Sequence, residues 1–180
     1  MFVQTEITPN PNSLKFIPGK SVSNNGSFEI TKKEEADNEL VRNLLSINGV
    51  TGIFLGADFL SINKKEDVVW EDIKHIVISL INDFYATGKE FVIASELFEK
   101  KEEDYNEIEK QIISILETKI RPAVAKDGGD IKFKEFKNGI VKVELQGSCS
   151  GCPSSTMTLK QGVQNLLCHY LPEVKEVVAV

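Results

Sequence analysis

The sequence predicts an α+β protein of two small two-layer domains, each a short sheet packed against helices. Helical and strand periods occur together in both halves of the chain. Its 180 residues are 41% hydrophobic, enough to supply cores. Between the halves, Phe91 to Asp104 loses any clean period and contains the most polar run present, Glu99-Lys100-Lys101-Glu102-Glu103-Asp104. That stretch reads as a linker, so the predicted domains are residues 1–90 and 105–180, joined by 91–104.

In the first half, Leu14 to Ile17 and Phe28 to Ile30 read as extended segments, separated by a Pro, Gly, Ser and Asn-rich loop from Pro18 to Ser27. Leu40, Val41, Leu44 and Leu45 form the apolar stripe of a helix, which Asn48-Gly49 is suited to end. Val50 to Leu55 and Asp58 to Ile62 alternate as strands and flank Gly56-Ala57, the pattern of a hairpin. A second helix carries Ile73, Ile76, Val77, Leu80, Ile81 and Phe84 on one face, and the first domain ends near Gly88. Trp70, beside this helix, reads as a core residue.

The second half opens with a helix near Tyr105, striped by Ile108, Ile112, Ile115, Leu116 and Ile120 and predicted to close around Pro122 to Val124. Lys126-Asp127-Gly128-Gly129-Asp130 follows as a tight connection, with glycines free to take positive φ and aspartates able to accept from nearby amides. Two carboxylates there would repel an anion, which argues against a phosphate loop. Ile131 to Phe136 and Ile140 to Leu145 alternate as a hairpin. A two-residue Asn138-Gly139 turn places Phe133 opposite Glu144. A three-residue loop, Lys137 to Gly139, pairs Phe133 with Val143 and is the preferred reading. Leu159, Val163, Leu166, Leu167 and Tyr170 stripe a final helix, and Val174 to Val180 a last strand.

The net charge is −6 with both signs interspersed, which offers no phosphate-binding face and argues against nucleic acid as a partner. No apolar stretch approaches the roughly 20 residues that span a bilayer, and the opening residues have neither a basic region nor an apolar signal core. A protein inside the cell, without membrane contact, is the expectation.

The chemistry concentrates in Gly147-Ser148-Cys149-Ser150-Gly151-Cys152-Pro153-Ser154-Ser155-Thr156, between a strand and a helix. A C-x-x-C turn brings two soft sulfur ligands to one metal or cluster, or to each other. At a helix N-terminus the unsatisfied amides and dipole favour thiolates, and Pro153 fits a first turn where no N–H is needed. A dithiol oxidoreductase uses similar local geometry, but the pair lies too near the C-terminus for the rest of a thioredoxin sheet, and proline follows the cysteines instead of separating them. A zinc site needs four ligands, and Cys168, His169 and His75 all sit on helices where packing or exposure is the default reading. Two chains meeting at their cysteine loops would complete either a tetrahedral metal site or a 4Fe-4S cluster. Missing ligands therefore predict a dimer.

Arg121-Pro122-Ala123-Val124-Ala125-Lys126-Asp127-Gly128-Gly129-Asp130-Ile131 together with the cysteine run through Lys160 closely resembles the NifU C-terminal domain. Thr8-Pro9-Asn10-Pro11-Asn12-Ser13-Leu14-Lys15-Phe16, Gly49-Val50 and Phe54-Leu55-Gly56-Ala57-Asp58-Phe59 resemble the N-terminal domain of the Nfu iron-sulfur scaffold proteins. The resemblance spans nearly the whole chain. It implies a non-enzymatic carrier that holds a 4Fe-4S cluster between Cys149 and Cys152 of two subunits, receives it from an upstream assembly scaffold and passes it to apo iron-sulfur proteins. Asp127 to Asp130 match a signature given only a structural role, and Cys168 has no assigned role. A bacterial cytoplasmic form is the simplest expectation, with a trimmed mitochondrial matrix protein as the alternative. The N-terminal domain, which has no cysteine, is expected to select partners or regulate access.

Overall fold

In the computed structural model the described residues are 2–24, 26–90, 104–150 and 153–180, with residues 153–155 described by backbone alone. The expected linker therefore lies outside them, apart from Asp104.

Five strands form the N-terminal sheet: β1 (Gln4–Ile7), β2 (Ser13–Ile17), β3 (Phe28–Ile30), β4 (Val50–Leu55) and β5 (Leu60–Lys64), in the order β1-β2-β5-β4-β3. All neighbouring pairs are antiparallel. Strand alternation sends Leu14, Phe16, Ile53, Leu55, Leu60 and Ile62 to one face, where they are buried with residues of α1 (Glu39–Leu45) and α2 (Trp70–Ala86). The Asn38 side chain caps α1 by accepting from the amides of Leu40 and Val41. Trp70 packs against this core as expected, its ring edge-on to Phe16, and Ile76 departs from the expected stripe by being exposed.

The opposite face carries a row of one residue from each strand. Glu6 pairs with Lys15, Lys15 with Ser61, Ser61 with Phe54, and Phe54 with Glu29. Phe54 is only 2% exposed although it stands outside the helix-covered core. Something else must cover it, and that is the C-terminal unit.

This second unit contains α3 (Glu107–Ile115), a single π-turn over Leu116–Ile120, α4 (Arg121–Lys126), β6 (Gly129–Lys137), β7 (Ile140–Gly147), α5 (Pro153–Tyr170) and β8 (Glu176–Ala179). Its sheet runs β6-β7-β8, antiparallel at the hairpin and parallel between β7 and β8. Ile112, Leu116, Val124, Ile131, Val143, Val163, Leu167 and Val177 close a separate core between sheet and helices. Both halves are thus two-layer α+β units.

Two expectations are corrected here. The helical run does not close around Pro122 to Val124 but continues to Lys126. Proline lacks an N–H and collides with the carbonyl four residues back, and the wider π-turn just before it accommodates both defects. The β6–β7 turn has two residues, with Lys137 paired to Ile140 and both Asn138 (φ 54°) and Gly139 (φ 79°) left-handed. Phe133 nevertheless pairs with Val143, because a bulge inserts Lys134 into the ladder between Phe133 and Glu135. The pairing is as expected; the loop length is not.

Smaller differences follow from exposure and turn chemistry. β1 has no counterpart in the expected elements, being a largely exposed edge strand with no apolar alternation. β5 starts at Leu60, two residues later than expected, since Asp58 and Phe59 lie in a turn closed by the Gly56 amide donating to the Phe59 carbonyl at 2.9 Å. Tyr170 is exposed at the end of α5.

Candidate cluster-binding loop

β7 ends at Gly147, whose φ of 66° turns the chain back towards the β6 start. A Cβ there would lie 2.5 Å from the Gly128 carbonyl oxygen, so this crossing of two backbones requires glycine. The Ser148 amide then donates to the Gly128 carbonyl at 3.2 Å, and its hydroxyl donates to the Asp127 carbonyl. The Ser150 amide returns to the Gly147 carbonyl at 3.2 Å. Thr156, in the first turns of α5, donates its hydroxyl to the Cys149 carbonyl at 3.0 Å. Cys149 is thereby held between the glycine turn and the helix start.

Cys149 is 7% exposed. It lines a cleft of about 270 Å³ with Pro9, Val124, Asp127, Ser148, Thr158 and Leu159. Space for the sulfur comes from Gly129, where a Cβ would stand 2.6 Å from Cys149 Sγ. The glycine signature therefore shapes the sulfur pocket. Asp130 ties α4 to β6, since it accepts from Arg121 Nε at 2.8 Å and from a second guanidinium nitrogen at 2.9 Å. It also accepts from the Ile131 amide at 2.8 Å.

Burial pushes the Cys149 thiol up from the ordinary 9.0 to about 11; the Ser148 hydroxyl opposes this, and the negative charges of Asp127 and Asp130 add to it. At Cys149 burial therefore works against the preference for thiolates expected of a helix start. Cys149 precedes the first residue of α5 by four positions, and desolvation is the largest influence on its thiol. A consequence for stability follows. The unfolded thiol ionises first on raising pH, so the unfolded state holds fewer protons between about pH 9 and 11 and stability falls across that window. The loss attributable to Cys149 is about 3 kcal/mol for a shift from 9.0 to about 11. Urea unfolding of parent and Cys149→Ser between about pH 8 and 11 should show a steeper alkaline loss in the parent. Parallel curves would refute the burial effect.

Cys152 lies outside the described residues. Cys168 is partly buried on α5 and donates its S–H to the Val174 carbonyl at 3.2 Å, and His75 and His169 are exposed on separate helices. Among the described residues, no three His, Cys, Asp or Glu side chains converge as a metal site.

A second set of residues, not anticipated from sequence, surrounds the loop. Asn10 Nδ2 donates to the carbonyls of Ser148 at 3.2 Å and Ser150 at 3.3 Å, one on each side of Cys149. Asn63 Nδ2 donates to the Gly147 carbonyl at 3.1 Å, and Ser61 Oγ to the Gly128 carbonyl at 2.5 Å. Glu29 accepts from the Gly147 amide at 3.1 Å and the Ser150 hydroxyl at 3.2 Å. Burial raises its carboxyl above the usual range, those two donors pull it down, and the charge of Glu144 raises it. Farther out, the Ser27 hydroxyl donates to Asp130, and Lys132 Nζ to the Ser27 carbonyl at 2.7 Å. The signal available in sequence was the outward alternation of Ser61, Asn63 and Glu29 around Phe54, whose ring packs against buried Phe59.

Fold and loop together define a two-unit α+β protein that holds Cys149 of a C-x-x-C motif in a glycine-supported cradle. Residues 3–88 match the family described as scaffold protein Nfu/NifU N terminal, and residues 112–178 match the NifU-like domain. NifU-like protein 4, mitochondrial, from Arabidopsis thaliana is 44% identical over 184 residues, covering 98% of this chain and 65% of that protein. The Homo sapiens NFU1 iron-sulfur cluster scaffold homolog, mitochondrial, is 44% identical over 180 residues, covering 98% of this chain and 71% of the relative. The solution structure of a NifU-like protein from Saccharomyces cerevisiae is 32% identical, covers 53% of this chain and 87% of its own, and superposes with a TM-score of 0.47. The chain belongs to the Nfu/NifU family. It spans about two thirds of the length of the curated relatives it matches. No helix among the described residues is long and apolar enough to cross a membrane.

Proposed function

We propose that this chain is an iron-sulfur cluster scaffold and carrier rather than an enzyme. Cys149 and Cys152 of each of two chains ligate one 4Fe-4S cluster, which comes from an upstream assembly scaffold and is passed to apo iron-sulfur proteins. The observation that carries this reading is Cys149 itself, held by a glycine turn in a small cleft immediately before α5. It is supported by relatives whose names describe iron-sulfur cluster scaffolds.

The cluster is cargo, so its ligation must be reversible. A doubly positive 4Fe-4S core with four thiolates has net charge 2−, and amides of the loop and the α5 N-terminus offset part of it. Loading displaces the protons of the thiols, and a thiol held near 11 makes that step depend on pH and on an available base. Release is thiolate exchange: each iron–sulfur bond to the carrier breaks as one to an acceptor cysteine forms. The cluster's oxidation state is unchanged.

The division into residues 1–90, a linker at 91–104 and 105–180 belongs to this proposal, supported by two separate cores. The relatives named as mitochondrial favour the matrix alternative over a bacterial cytoplasm.

Anaerobic native mass spectrometry after treatment with iron and sulfide tests the reading. A pair of chains heavier by one Fe4S4 unit is expected. A metal-free monomer cycling between dithiol and disulfide would replace it with redox chemistry, and a colourless zinc-bridged pair would make the chain a zinc-binding module.

A further inference from the structure

Most of the hydrogen bonds between the two units fall on the cysteine loop and its supporting turn. Asn10, Asn63, Ser61 and Glu29 address the backbone of Gly128, Gly147, Ser148 and Ser150. The Ser150 hydroxyl adds a further contact to Glu29. Both carbonyls flanking Cys149 are taken by one asparagine, and Pro9 closes the same cleft that the thiol lines. Phe54 lies against Gly147, where an added Cβ would meet its ring at 3.0 Å. The outward row of the N-terminal sheet is therefore shaped to this loop.

We propose that the N-terminal sheet is a removable cap on the cysteine loop, and that docking of the cap and bridging of a cluster between two chains exclude each other. This rests on the carrier reading above, since bridging needs the Cys149 sulfur to face a second chain. In the docked arrangement that sulfur, at the edge of the C-terminal core, has Pro9 of the N-terminal unit closing its cleft, and the backbone around it is occupied from one side. The contacts suit a reversible cap: polar, directed mostly at backbone atoms, and built around Phe54, which packs on Phe59 within its own sheet. The second chain and the N-terminal unit compete for the same loop, so an empty carrier keeps its thiol covered and opens to load or deliver.

Thiol alkylation of the full-length apo-protein tests the cap without any cluster. In a Cys152→Ser background the remaining thiols are Cys149 and Cys168, and Cys168 reports on the C-terminal unit away from the cap. Asn10→Ala combined with Asn63→Ala should speed iodoacetamide modification of Cys149 about tenfold, with the Cys168 rate unchanged. Glu29→Gln, which keeps the shape of the side chain, should give a smaller change in the same direction. Unchanged Cys149 rates would overturn the cap. So would equal acceleration of both cysteines, which would mean loosening of the C-terminal unit instead of undocking. With both cysteines of the motif present, the Asn10→Ala, Asn63→Ala protein should take up cluster from iron and sulfide faster than the parent. Failure of every variant to take up cluster would remove the carrier reading and leave the alkylation result standing.

Discussion

Cys149→Ser and Cys152→Ser are each expected to eliminate the cluster-bearing pair of chains while leaving the fold intact, and Cys168→Ser to change neither. Serine offers a hard oxygen that stays protonated at neutral pH, whereas the iron of a sulfide cluster prefers soft thiolate. Losing one residue type from each chain removes two of the four ligands in a two-chain site. The fold should survive because serine nearly matches the volume of Cys149 in the C-terminal core, at a cost of about 1–2 kcal/mol for a hydroxyl in its pocket. Cys168 differs, since its S–H already closes a local hydrogen bond to Val174 beyond the end of α5. Native mass spectrometry of the three variants separates these cases, and a cluster-bearing pair retained in Cys149→Ser would sink the assignment.

Gly129→Ala should be a strongly damaging conservative change in the C-terminal unit. The added methyl would stand 2.6 Å from Cys149 Sγ and 2.7 Å from the Gln146 carbonyl oxygen, with the Cys149 amide nitrogen at 3.1 Å. Two of these neighbours are backbone atoms in a ladder position where Gly129 pairs with Gly147, so neither can yield cheaply. A loss of about 2–4 kcal/mol is expected from this overpacking. Gly162→Ala provides the contrast. Gly162 sits inside α5 with nothing within 4 Å of its would-be Cβ, so alanine should stabilise by about 1 kcal/mol. Urea unfolding of both variants measures the difference, and a Gly129→Ala protein as stable as the parent would show that the sulfur pocket is looser than the geometry states.

Much of the architecture was legible because it is written in period. The stripes at Leu40-Val41-Leu44 and Ile73-Val77-Ile81, and the alternations at Leu14-Phe16 and Val141-Val143-Leu145, each report one buried face. What escaped depends on partners distant in sequence. β1 is held by backbone pairing to β2, which leaves no mark on a polar strand. The bulge at Lys134 and the π-turn before Pro122 are adjustments of local geometry that apolar periodicity does not encode. The motif located the cysteines, but not the burial of Cys149, because the wall around it includes Pro9 from the other end of the chain. Phe54 stood out in sequence only through the family resemblance. Its neighbours in the strand, Ile53 and Leu55, point into the helix-covered core, so a phenylalanine between them announces a second covered face.

The parallel pairing of β8 with β7 bears on how the molecule comes to be made. The cysteine loop and α5 together form the crossover between those strands, residues 148 to 175. The β6–β7 hairpin can close early through its Asn138-Gly139 turn, on a timescale of about microseconds. Parallel pairing must wait for the crossover, because its loop entropy comes due before its contacts form. During synthesis the thiols thus emerge ahead of the strand that completes their own core. Pulsed thiol labelling during refolding should find Cys149 protected no earlier than β8 docks, with the N-terminal sheet completing the protection. A growing chain would spend that interval with its most valuable sulfurs open to oxidants, and to any chaperone that reaches them first.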